Sequence, residues 1–325
     1  MALADTLVEA WYGNRRSPWW TWPLAWLYGA LTALRRGLYH LGVLRRVRLP
    51  VPVIVIGNLT AGGTGKTPLT IALAEALHAR GFRPGVVSRG HGGRQREPML
   101  LGESPDPAAV GDEPCLIRGC GVPVAVGRDR PAAAQLLVAD GCDVLIADDG
   151  LQHYRLARDV EICVIDGVRR FGNGHLLPAG PLREPLRRLA RVDLRVCNSG
   201  TPQAGEYPMQ LAGGAVVSLD GLRMQPLAAF AGQRVHAVAA IGNPARFFAS
   251  LRDADIVVTE HAFPDHHAFA ADELDFGDTL PVLMTDKDAV KCRAFTRPNW
   301  WRVPVRAELP AEFFDAVLAR LSVRL

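Results

Sequence analysis

The stretch that most limits what this chain can become runs from Val53 to Thr67: Val53-Ile54-Val55-Ile56-Gly57-Asn58-Leu59-Thr60-Ala61-Gly62-Gly63-Thr64-Gly65-Lys66-Thr67. Four β-branched residues in a row predict a strand buried on both faces of a parallel sheet. A glycine-rich turn follows, and a helical pattern runs from Pro68 to Arg80. Strand, glycine loop and helix in that order form a phosphate cradle. Glycines let several backbone N–H groups converge on one anion, and the helix N-terminus adds its positive end. On this pattern Thr60, Ala61, Gly62, Gly63, Thr64, Gly65, Lys66 and Thr67 contact a nucleotide. Lys66 reaches the β- and γ-phosphates, and the Thr67 hydroxyl ligates Mg²⁺. Thr60 stands where the usual pattern opens with glycine. Lysine usage supports the site, because Lys66, Lys287 and Lys291 are the only three lysines among 37 basic residues. A compact ammonium fits a phosphate cradle in a way that arginine's planar fork does not.

A second signal follows. Asp143-Val144-Leu145-Ile146-Ala147-Asp148-Asp149-Gly150 is an apolar strand ending in two carboxylates. Downstream of a phosphate loop this is the position that holds Mg²⁺, so Asp148 and Asp149 join Thr67 as candidate metal ligands. Around these signals strands and helices alternate. Arg83–Ser88 predicts a strand that runs into the polar loop Ser88-Arg89-Gly90, at the edge where parallel sheets bind ligands. Residues 94–110 read as an irregular insert, and Gly111-Asp112-Glu113-Pro114 opens a short helix. Leu151-Gln152-His153 continues the carboxylate loop. A Gly/Pro-rich loop, Gly167–Pro185, is long enough to need a task of its own. Residues 199–234 lose the alternation and read as a linker, and a second α/β pattern follows. The expected fold is α/β: a P-loop NTPase-like parallel-sheet domain over 49–200 with helices on both faces, a linker over 201–234, and a smaller α/β domain over 235–325.

The first 48 residues differ from the rest. They hold seven arginines against Asp5 and Glu9, so the remaining chain is near neutral. Ser17–Leu34 carries no charge and contains Trp19, Trp20, Trp22, Trp26 and Tyr28. Aromatic side chains favour the headgroup level and arginines favour anionic lipid. Residues 1–48 are therefore expected to form a membrane-associated helix lying at an anionic surface; a spanning helix and a soluble packed helix are the alternatives. A basic end on a near-neutral body argues against general nucleic-acid binding. Six cysteines without a CxxC pair fit reduced, buried thiols.

In order along the chain, the segments 58–68, Ser88-Arg89-Gly90, Gly111-Asp112-Glu113-Pro114, Asp148-Asp149-Gly150-Leu151-Gln152-His153, Gly180-Pro181-Leu182-Arg183-Glu184, Ile241-Gly242-Asn243-Pro244 and 284–291 resemble the tetraacyldisaccharide 4′-kinases of lipid A synthesis. The resemblance implies transfer of the ATP γ-phosphate to the 4′-hydroxyl of a tetraacylated glucosamine disaccharide 1-phosphate, at the cytoplasmic face of the bacterial inner membrane. It implies Asp112 as catalytic proton acceptor, His266 as its partner, and Arg183 and Glu184 near the base and ribose. Ser88, Arg89, Gly90 and His153 become candidate substrate contacts, and Arg128 and Arg130 candidates for the lipid's 1-phosphate. Two other readings stand beside it. One is a nucleotide hydrolase for metal delivery, using His261, Asp265, His266 and His267; it lacks a guanine-reading Asn-Lys-x-Asp. The other is a membrane-tethered nucleotide sensor, which needs neither Asp112 nor His266.

Overall fold

The computed structural model describes residues 3–322; the outermost residues of the expected N-terminal segment and C-terminal domain lie outside them. Two helices come first, α1 (Leu3–Tyr12) and α2 (Thr21–His40). The first sheet unit then runs β1 (Val53–Gly57), α3 (Lys66–His78), β2 (Pro84–Ser88), β3 (Met99–Leu100), α4 (Pro107–Val110), α5 (Asp112–Gly119), β4 (Val124–Val126), α6 (Arg130–Ala139), β5 (Val144–Ala147), β6 (Val160–Asp166), β7 (Leu194–Asn198) and β8 (Glu206–Gly213). The chain continues through β9 (Ala215–Ser218), β10 (Met224–Pro226), β11 (Arg234–Ala239), α7 (Pro244–Arg252), β12 (Val257–Ala262), β13 (Val282–Thr285), α8 (Asp286–Ala289) and β14 (Trp300–Val303). It closes with β15 (Val305–Glu308) and α9 (Ala311–Ser322).

The larger sheet has nine strands in the order β15-β8-β7-β6-β1-β5-β2-β4-β3. Its interior pairs are parallel, while β3 and β15 join antiparallel at the two edges. β1 sits at the centre, and its side chains alternate as the pleat requires. Ile54 and Ile56 pack with Leu69, Leu73 and Leu77 of α3 and Phe313 and Val317 of α9. Val53 and Val55 face the other way, in a core with Ala133, Ala134 and Leu137 of α6. Both faces are thus covered, which explains why β1 is apolar at every position. The smaller sheet has six strands, β10-β9-β14-β13-β11-β12, and is parallel except at β9 and β10.

Residues 201–234, expected as a linker, instead supply β8 to the larger sheet and β9 and β10 to the smaller one. After β14 the chain crosses back, so β15 and α9 belong to the larger sheet rather than to a C-terminal unit ending at 325. β8 and β15 pair antiparallel with each other and are only partly buried, with Pro208 inside β8. Such strands lack the continuous apolar run that marks interior ones, so their sequence reads as irregular.

The loop 167–185 is a platform for the N-terminal helices. The Trp11 indole donates to the Pro178 carbonyl at 2.9 Å, Ser17 Oγ to the Ala179 carbonyl at 2.6 Å and the Tyr28 hydroxyl to the Arg183 carbonyl at 2.9 Å. Gly29 lets α2 approach closely, since a Cβ there would lie 2.9 Å from Leu176. The opposite face of α2 is uncovered: Leu24, Leu27, Leu31 and Leu34 form an exposed stripe, and Trp26 is 79% exposed. Among the described residues no helix is long and apolar enough to cross a membrane.

Candidate active site

Loop 58–65 leaves the C-terminal end of β1 and closes on α3. It is held on several sides. The Ala61 N–H donates to the Pro181 carbonyl, the Gln152 amide to the Asn58 carbonyl, and the Asn198 amide to the Thr64 carbonyl at 2.9 Å. Gly65 takes φ +88° and passes so near Asn198 that a Cβ would stand 2.4 Å from its amide nitrogen. Glycine alone meets both demands. The tip, Gly62 and Gly63, is exposed, while the Asn58 Oδ1 and Thr64 Oγ1 atoms are buried without a hydrogen-bond partner. Lys66 and Thr67 open α3.

β5 ends beside β1 and delivers Asp148 and Asp149 to the same edge. Asp148 is 1% exposed and accepts a hydrogen bond from the Thr70 hydroxyl at 3.1 Å. Burial and then the Glu113 carboxylate push its pKa well above the usual carboxylate range. Asp149 goes the other way. Burial acts upward on it, but Lys66, Arg183 and Arg130 outweigh that and hold it low. Lys66 Nζ lies 3.7 Å from its carboxylate, and the Arg183 guanidinium donates to both oxygens at 3.0 and 3.1 Å. Two adjacent carboxylates thus carry opposite tendencies, one toward the protonated form and the other held ionised by its cationic neighbours. The oxygen donors of Thr67 and Asp148, with Glu113 nearby, suit a hard divalent cation.

Asp112 opens α5 and is buried. Its Oδ2 lies 3.1 Å from Nδ1 of His266, in the loop after β12 of the smaller sheet. Lys291 Nζ is 3.8 Å from the same oxygen and 2.7 Å from the fully buried Asp288. Burial acts to raise the Asp112 pKa, but the His266 hydrogen bond, Lys291 and Lys287 together lower it. Lys287 bridges the two sheet units, reaching Glu113 at 3.6 Å, Asp265 at 3.3 Å and Nε2 of His266 at 3.4 Å. Burial pulls its pKa down, yet the carboxylates of Glu113, Asp265 and Asp112 raise it, so it stays an ammonium. An ammonium can only donate. Nδ1 of His266 carries the proton that it donates to the Asp112 carboxylate, while Nε2 faces Lys287 and, at 3.8 Å, Asp265.

Some expected residues stand elsewhere. The Glu184 side chain is 2% exposed and turned from the glycine loop. It accepts from the Tyr154 hydroxyl at 2.5 Å and pairs with Arg188 and Arg36. Arg130, 3% exposed, spends both terminal nitrogens on the carbonyls of Asp148 and Asp149, so it braces the carboxylate turn and is closed to an outside anion. Arg89 and Arg128 are exposed, Ser88 and Gly90 buried. His153 is half-buried, and burial followed by Arg130 and Arg158 takes its pKa down to about 4. The histidines of the metal-delivery alternative disperse: His261 meets His236, His267 meets Glu273, and His266 meets Asp112. Glu113, Lys287 and Lys291 are site residues that the sequence alone did not single out. The signal available was the scarcity of lysine.

An apolar-cored α/β sheet that brings a lysine, a carboxylate pair and an acid–histidine pair to one side defines a nucleotide-dependent phosphotransferase. Known proteins narrow this to one family. The sequence pattern described as tetraacyldisaccharide-1-P 4′-kinase matches residues 17–322, and the chain belongs to that family. It is 54% identical over 323 residues to the tetraacyldisaccharide 4′-kinase of Stenotrophomonas maltophilia, covering 96% of this chain and 95% of that one. The enzyme of the same name from Xanthomonas euvesicatoria is 55% identical over 326 residues, covering 96% and 94%. The crystal structure of the "apo" form of LpxK from Aquifex aeolicus in complex with ATP is similar with a TM-score of 0.77 at 28% identity, covering 92% of this chain and 98% of that one.

Proposed function

We propose that the protein is an ATP-dependent lipid kinase that phosphorylates the 4′-hydroxyl of a tetraacyldisaccharide 1-phosphate in lipid A biosynthesis. The observation that carries the mechanism is the Asp112–His266 contact, 3.1 Å long and formed between the two sheet units. A nucleotide sensor has no use for such a pair.

A sugar hydroxyl is a weak nucleophile, so the protein must position it, neutralise charge and accept its proton. The loop 60–67 cradles the phosphates, and Lys66 offers its ammonium to the group being transferred. Thr67 and Asp148 would hold Mg²⁺, with Asp149 beside them. The ion would supply further charge neutralisation at the phosphate oxygens. Asp148 is buried and, among the described residues, pairs with no lysine or arginine, so a bound cation would offset the cost of its charge. Asp112 is kept ionised by its cationic neighbours and accepts the hydroxyl proton as the new P–O bond forms, the bond from the γ-phosphorus to the bridging oxygen breaks and ADP leaves. His266, with Nε2 facing Lys287, orients the carboxylate through Nδ1–H. Arg183 locks Asp149 at the loop, and Glu184 serves to dock α2. The exposed leucine and tryptophan stripe of α2 lies in an anionic membrane surface, which for this pathway is the cytoplasmic face of the inner membrane.

The test is transfer of ³²P from the γ-position of ATP, with GTP in parallel, to a purified tetraacyldisaccharide 1-phosphate. Labelled product from ATP that disappears in Lys66→Ala is expected. Phosphate release without lipid labelling would instead indicate a hydrolase.

A further inference from the structure

A cavity of about 850 Å³ opens between the C-terminal half of α2 and the turn 185–193, on the side of the 182–184 segment away from Lys66. Arg183 and Glu184 divide the two sites, one pairing with Asp149 and the other with Arg36 and Arg188. Six arginines and three carboxylates line the cavity. The carboxylates are already engaged. Asp159 takes Arg48 and the Val53 N–H, Glu161 takes Arg158 and Arg188, and Asp193 accepts the Glu161 N–H. Among the described residues Arg46, Arg187 and Arg191 pair with no carboxylate, and all three are exposed. Arg36 is the exception at the cavity's inner wall, since its buried Nη1 already faces the Glu184 carboxylate at 3.8 Å.

The cavity adjoins the exposed stripe. Leu31 and Leu34 lie on the uncovered face of α2, and Ala33, Arg36 and Gly37 of the same two turns line the cavity. We propose that this cavity binds the phosphodiester headgroup of an anionic glycerophospholipid, whose acyl chains run along Leu27, Leu31 and Leu34. The unpaired guanidinium groups of Arg187 and Arg191, with Arg46 beside them, fit a phosphate through paired N–H donors. The cavity has ample room for a headgroup with its glycerol. An arginine cavity continuous with an apolar helix face selects a lipid over a free anion. This inference rests on the membrane role assigned to α2.

Dihexanoylphosphatidylglycerol, kept below its micelle concentration, tests the site without a bilayer. Calorimetry should show saturable one-to-one binding to the full chain. Arg187→Ala/Arg191→Ala should weaken it by at least about tenfold, since charge-assisted hydrogen bonds are lost. Arg35→Ala/Arg45→Ala removes the same charge outside the cavity and should leave binding unchanged. Absent saturation, equal loss in both double variants, or displacement by equimolar inorganic phosphate would each overturn the proposal. In phospholipid-free nonionic micelles Arg187→Ala/Arg191→Ala should keep the KM for the lipid acceptor; a raised KM would give the cavity to the substrate instead. Pelleting with phosphatidylglycerol vesicles separates the two claims. Vesicle binding that is unchanged by Leu24→Asp/Trp26→Asp, outside the acyl path, sinks the membrane role of α2, while intact short-chain lipid binding in the same protein keeps the cavity assignment.

Discussion

Replacing Asp112 and His266 singly and together measures whether they act as one unit. Asp112→Asn keeps the size of the side chain but removes the proton acceptor, and general-base catalysis is worth about 10²–10⁴-fold. That corresponds to roughly 3–5.5 kcal/mol of barrier. His266→Gln removes the imidazole that donates to Asp112 at 3.1 Å. A hydrogen bond to a charged group contributes about 1.5–3 kcal/mol, so this variant should lose about 10–150-fold in kcat. The histidine acts only through the carboxylate, so the double variant should be no slower than Asp112→Asn alone. The coupling energy then equals the whole histidine effect, about 1.5–3 kcal/mol. A third variant tests the tautomer. The amide nitrogen of asparagine stands near the place of Nδ1, that of glutamine near Nε2, and asparagine also tolerates the φ of +63° at His266. His266→Asn should therefore retain more activity than His266→Gln. Initial rates of γ-phosphate transfer at saturating ATP, with ATP affinity from calorimetry, provide the readout. Losses that multiply in the double variant, or a faster glutamine variant, would refute the coupled pair.

Gly65→Ala should abolish nucleotide binding and lower the Tm, because its Cβ would meet the Asn198 amide at 2.4 Å and a left-handed alanine costs about 1–2 kcal/mol besides; an unchanged ATP Kd would contradict this. Lys291→Met leaves the buried Asp288 without its ammonium and should cost about 3–5 kcal/mol at neutral pH. Its other partner sets the pH dependence: the Asp112 pKa is lowered from its ordinary 3.8, so that share of stability is present above 3.8 and disappears as pH falls through the lowered value. The Tm gap between wild type and Lys291→Met should accordingly narrow in acid, and a gap independent of pH would rule out the Asp112 contribution.

Much of the larger sheet and half of the site were legible along the chain, because their signals are local. Four β-branched residues before a glycine loop can only be an interior parallel strand ending at a ligand edge, and Lys66 and Thr67 are fixed by their distance from it. Asp148 and Asp149 follow from the same logic one strand away. The tertiary structure decided what depends on side-chain direction and long-range pairing. Asp112 and His266 are 154 residues apart and meet because two sheet units close on each other. Lys287 and Lys291 gain their meaning only there, where carboxylates from both units converge on them. Arg183 and Glu184 are neighbours in sequence but turn to different partners, so adjacency said nothing of which faces the nucleotide loop. β15, a half-exposed edge strand, pairs with β8 from a segment about a hundred residues away in the chain, and no periodicity within either strand reports a partner that distant.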